Sequence, residues 1–126
     1  MALFLITCVY DEGVYKSNFR VVEAVSREAV AQHILKNYES FADYLERSIF
    51  YKWLNDKEVG PNEIWEKMNR VIVHAKDSEK LHQLFKTWFL SLSAKEVLKR
   101  IDQTSVDGDS HAQLAIHEIT EIEKVE

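Results

Sequence analysis

The chain has 126 residues, 46% apolar and 29% charged, with three glycines and one proline; these values exclude a low-complexity, repeat or disordered polypeptide. A net charge of −5 argues against non-specific nucleic-acid binding, which rewards a dense cationic surface. The length predicts a single domain over residues 1–126, large enough to bury a core without staples.

The first element sets the frame. Leu3-Phe4-Leu5-Ile6-Thr7-Cys8-Val9-Tyr10 is apolar at both alternating sets of positions, the pattern of a strand covered on both sides and central in its sheet. Gly13 permits a turn, and a second strand is predicted from Phe19 to Ala24, with Phe19, Val21 and Glu23 on one side and Arg20, Val22 and Ala24 on the other. Ser26 caps a helix that ends near Asn37 and turns Val30, His33 and Ile34 inward.

A second helix is predicted from about Ser40 to Asn55, because Phe41, Leu45, Ile49 and Trp53 recur at helical spacing. Gly60-Pro61 breaks the pattern. Ile64, Trp65, Met68, Val71 and Ile72 then mark a third helix. Asp77 or Ser78 caps a fourth, whose apolar series runs Leu81, Leu84, Phe85, Trp88, Phe89, Leu92. Ser93 and Glu96 form a capping box for a fifth helix, Ala94 to Gln103. After the turn residues Asp107-Gly108-Asp109-Ser110, His111 to Lys124 reads as a last strand. Leu114 and Ile116 share one of its sides.

The predicted fold class is therefore α+β: a three-stranded antiparallel sheet in the order 2-1-3, in a β-β-α-α-α-α-α-β chain, packed against about five amphipathic helices. The order keeps the most apolar strand in the middle. It leaves strands 19–24 and 112–122 as edges able to pair across a dimer axis.

The chemistry-bearing patterns are few. There is no G-x-S-x-G elbow, glycine-rich phosphate loop or H-E-x-x-H pair, so no catalytic residue and no cofactor are assigned. Antiparallel pairing of the first and last strands would bring Asp11 and Glu12 towards Asp107, Asp109 and His111. That set could hold Mg²⁺ or Mn²⁺ and support a metal-dependent phosphoesterase, although acidic residues also populate turns for local reasons. The eight basic residues of 61–100, with Trp65 and Trp88, could form a nucleic-acid grip, but both tryptophans fall on inward stripes.

The strongest functional pattern is aromatic. Phe41, Tyr44, Phe50, Tyr51 and Trp53 cover more than half the circumference of one predicted helix, which suits either an interface or a helix buried on two sides. Cys8, a lone thiol inside a strand, suits a core position in a reducing compartment. No stretch is long and apolar enough to span a bilayer. The expected protein is a cytoplasmic interaction module, self-associating as a homodimer through the aromatic helix or a free sheet edge.

Overall fold

A computed structural model describes residues 1–11, 15–56, 58–60, 75–106 and 112–121. The predicted third helix and the 107–110 turn lie outside the described residues. In chain order the elements are β1 (Ala2–Asp11), β2 (Tyr15–Ala24), α1 (Arg27–Lys36), α2 (Tyr38–Arg47), α3 (Ile49–Asn55), α4 (Ala75–Leu90), α5 (Ala94–Val106) and β3 (Ala112–Ile119). The sheet is three-stranded and antiparallel in the order β2-β1-β3. Ile6 stands between Arg20 and Ile116, and Cys8 between Asn18 and Leu114.

Burial alternates along the strands with a period of two, as pleated backbone requires. Phe4, Ile6 and Cys8 of β1 and Ala112, Leu114 and Ile116 of β3 are buried, and they join one core with Val30, Ile34, Phe41, Leu45, Val97 and Ile101 of the helices. The opposite set, Leu3, Leu5, Thr7 and Val9, is only partly buried. These residues stand outside the core cluster, as do Phe19 and Val21 of β2. β1 is therefore central, but among the described residues only its even positions join the core.

Local chemistry explains the helix ends. The Ser26 hydroxyl accepts from the Ala29 amide at 3.1 Å. Ser93 and Glu96 exchange backbone-to-side-chain bonds of 3.2 Å in both directions, the reciprocal box expected at the start of α5. Gly60 closes the region after α3: its amide donates to the Asp56 carbonyl at 2.8 Å, and a Cβ there would stand 2.3 Å from that oxygen. Only glycine fits so close a backbone approach.

Three expectations are corrected. β2 begins at Tyr15 rather than Phe19, pairing Tyr15 with Asp11. His33 is exposed rather than inward, its ring edge-on to Phe41 with centroids 5.6 Å apart. The predicted helix 40–55 is two helices, α2 and α3, that meet at Ser48. There φ is −118° and ψ −82°, and the buried Ser48 hydroxyl donates to the Tyr44 carbonyl at 2.6 Å. A serine bonding back to the preceding turn competes with the helical ladder and bends the chain.

α5 lies on β3 and α1, and two side chains fasten this corner. The Thr104 hydroxyl, fully buried, accepts from the Leu114 amide at 2.9 Å. The carbonyls of Ile101 (2.7 Å) and Leu114 (2.9 Å) are within reach of its proton. Arg27 donates from Nε to the Ile116 carbonyl at 3.1 Å, and its two terminal nitrogens hold the Asp102 carboxylate. Both clasps lie on the side of β3 away from β1. Thr104→Val keeps the shape and strands the buried Leu114 amide, so it should cost about 2–3 kcal/mol in urea unfolding and speed hydrogen exchange at Leu114. A loss below about 0.5 kcal/mol would show that the clasp contributes nothing beyond a surface contact.

Candidate interaction surface

The aromatic residues of 40–55 were the first candidates, and four of the five are covered by the chain itself. Phe41, Tyr44, Phe50 and Trp53 are each at most 7% exposed, while Tyr51 is 37% exposed. The break at Ser48 accounts for this. α2 turns Phe41, Tyr44 and Leu45 into the core, whereas α3 turns Phe50 and Trp53 towards α4. Phe50 stacks on His82 with centroids 4.7 Å apart and meets Phe85 edge-on at 5.4 Å. Trp53 reaches Phe85 and Trp88. Two helices with different inward faces absorb a set that one straight helix could not.

Of the acidic set, Asp11 ends β1, and Glu12, Asp107, Asp109 and His111 lie outside the described residues. β1 and β3 do run antiparallel, with Tyr10 opposite Ala112. Among the described residues no group of three or more His, Cys, Asp or Glu is placed to hold a metal ion. Several cations of the 61–100 stretch are engaged within the chain. Lys86 pairs with Glu39 and lies over the Tyr38 ring. Arg100 reaches Asp56 at 3.5 Å and lies 5.2 Å from the Trp88 ring centre.

Exposed apolar area gathers elsewhere, around β2. Phe19 is 68% exposed, Val21 52%, Val25 74% and Met1 87%. Phe19 and Val21 stand on the outer face of the sheet, opposite Thr7 and Leu5. At the end of the strand, Met1, Val22, Val25, Ala29, Val30 and His33 line an open groove of about 460 Å³. Arg20, the one cation between Asn18 and Ala24, is drawn under the sheet. Its guanidinium donates to the Ser40 hydroxyl at 2.6 Å and to the Ser40 carbonyl at 2.5 Å, and sits 4.4 Å above the Phe41 ring. Its neighbours on the outer face keep only Glu23 as a charge.

This surface was partly legible in advance. Glu23 in phase with Phe19 and Val21 marks their side of the strand as wet. The apolar run of β1 pointed the other way, because it implied cover on both faces. No protein family, curated protein or solved structure matches the chain. Among the described residues no helix is long and apolar enough to cross a membrane.

Among the described residues three titratable groups depart from ordinary values: the buried Cys8 and Tyr38 and the partly exposed Asp56. Burial, with the Asp43 charge second, pushes the Cys8 thiol up to about 11. Burial, then Glu46 and Glu39, raises the Tyr38 phenol; its hydroxyl has no hydrogen-bond partner among the described residues. Asp56 moves the other way. Burial alone would raise it, but the Glu58 and Val59 amides and Arg100 outweigh that and hold its carboxyl below the usual range. The stability linked to Cys8 is present below about pH 8.5, the ordinary thiol value, and is lost as pH rises towards about 11. The stability linked to Asp56 is present above the ordinary carboxylate value and is lost as pH falls through its lowered one. Urea midpoints measured across pH should fall on both sides of neutrality. Cys8→Ala should delay the alkaline fall and Asp56→Asn should flatten the acid one; an alkaline limb starting at the same pH in Cys8→Ala contradicts the assignment.

Proposed function

We propose that this chain is a small protein-interaction module of a reducing compartment such as the cytoplasm, and that its recognition surface is β2 with the outer face of the sheet. The observation that carries this is the pairing of Phe19 and Val21, 68% and 52% exposed on adjacent same-face positions of one strand. Apolar side chains scattered singly need no explanation, but a contiguous group beside a groove is the usual mark of a contact surface. Phe19 supplies the large rigid anchor, Val21 and the partly buried Leu3 and Leu5 extend it, and Glu23, His117 and Gln113 form a polar rim. This is the anatomy of an apolar centre with a wet border. The buried unpaired thiol of Cys8 suits a compartment that keeps cysteines reduced.

The test is site-specific photo-crosslinking in cells, with a photoreactive phenylalanine analogue at position 19 and the same group at the exposed Lys95 of α5 as control. Discrete adducts are expected from position 19, absent from position 95, and lost when Val21→Asp is added. Val21→Asp should change stability by no more than about 1 kcal/mol, since the position is half open to water. Equal adduct patterns from both positions would overturn the reading.

A further inference from the structure

The two edges of the sheet are not equivalent. In an antiparallel ladder, the amide and carbonyl of successive residues point alternately towards one neighbour and the other. Thr104 meets both the amide and the carbonyl of Leu114, and Arg27 meets the carbonyl of Ile116. Leu114 and Ile116 therefore turn their backbone groups away from β1. The phase of the whole sheet follows. Cys8, opposite Leu114 and Asn18, directs its own groups towards Asn18. Asn18, Arg20 and Val22 then bond inward to β1, and Phe19, Val21 and Glu23 point their amides and carbonyls out of the sheet.

The outer edge of β3 is thus closed at its centre by side chains from α5 and α1. The outer edge of β2 has no such closure among the described residues. Of the usual guards of a free edge, proline is absent from Tyr15–Ala24, Arg20 is held beneath the sheet by Ser40 and Phe41, and the remaining charges, Lys16 and Glu23, stand near the two ends of the strand and leave its centre unguarded. At ten residues it is longer than the five or six of an average strand.

We propose that β2 pairs with β2 of a second copy of this chain, antiparallel about a two-fold axis, joining two three-stranded sheets into one. The inference rests on reading β2 as the recognition surface and names its occupant. Three features favour a second copy over a foreign segment. Phe19 and Val21 flank the midpoint of β2, so two-fold pairing there brings Phe19 beside Val21 of the partner subunit, an aromatic against a β-branched side chain. A strand with its own long complementary edge needs no ordering before it binds, unlike a free peptide. The closed edge of β3 makes the assembly end at two copies, because a single open edge permits an isologous dimer and no fibre.

Sedimentation velocity over a micromolar-to-millimolar series should show a reversible monomer–dimer equilibrium. Hydrogen exchange should find the Phe19, Val21 and Glu23 amides protected in the dimer and open on dilution, while the Asn18, Arg20 and Val22 amides stay protected throughout. Val21→Pro removes an outward amide and should leave a folded monomer, weakening association roughly tenfold or more, whereas Val22→Pro removes an inward one and should unfold the sheet. Phe19→Lys, a charged guard on the same edge, should weaken association in the same way and serves if Val21→Pro does not fold. A monomer at every concentration overturns the proposal, as does a dimer with the Phe19, Val21 and Glu23 amides unprotected. A monomer that still yields discrete adducts with other proteins from position 19 rejects self-pairing and leaves the interaction module standing; a monomer without adducts rejects both.

Discussion

The structure depends on the clasp between α5 and β3. A strand at the margin of a sheet leaves half of its backbone groups without a partner, and burying such groups costs roughly as much as a lost hydrogen bond. Thr104 meets that requirement at Leu114, inside the core, and Arg27 meets it at Ile116 while pairing with Asp102 of the same helix. The two contacts let α1 and α5 lie tightly on β3. They also show which residues of every strand face outward, since the alternation runs unbroken through β1 to β2.

The helix layer shows the same economy. A straight helix over 40–55 would leave large rings facing water, and the break at Ser48 removes that conflict. Its hydroxyl bonds back to Tyr44, the ladder is interrupted, and α2 and α3 turn their apolar stripes to different neighbours. Phe50, Trp53, Phe85, Trp88 and Phe89 then form a continuous series of ring contacts between α3 and α4. Such contacts favour edge-on and tilted geometries, and most of these pairs adopt them. Most aromatic residues of the described helices are thus accounted for by internal packing, and the most exposed apolar side chains among the described residues, Met1, Val25, Phe19 and Val21, lie on or beside β1 and β2.

Periodicity and end signals carried much of the fold. The α+β class, the 2-1-3 order, the caps at Ser26 and Ser93, the stop at Gly60 and the shared side of Leu114 and Ile116 could all be reached from patterns spanning a few residues, because propensity, capping and two-residue alternation act locally. Phe19, Val21 and Glu23 could likewise be placed on one side of their strand. The extent of β2 could not: Tyr15 to Asn18 carry no strand pattern of their own and become a strand by pairing with Cys8 to Asp11.

What the sequence determined by itself is therefore the alphabet of elements and the face that each residue occupies. Tertiary structure alone decided which faces were covered and which edge was shut. Arg27 and Ile116 are 89 residues apart, and Thr104 and Leu114 are 10 apart. Such contacts exist only once helices and strands have docked, since a hydroxyl or guanidinium in the linear chain carries no sign of which distant carbonyl it will meet. The exposure of Phe19 and the burial of Trp53 were settled in the same way: both are large aromatic residues at regular positions, and only the presence or absence of a facing layer distinguishes them.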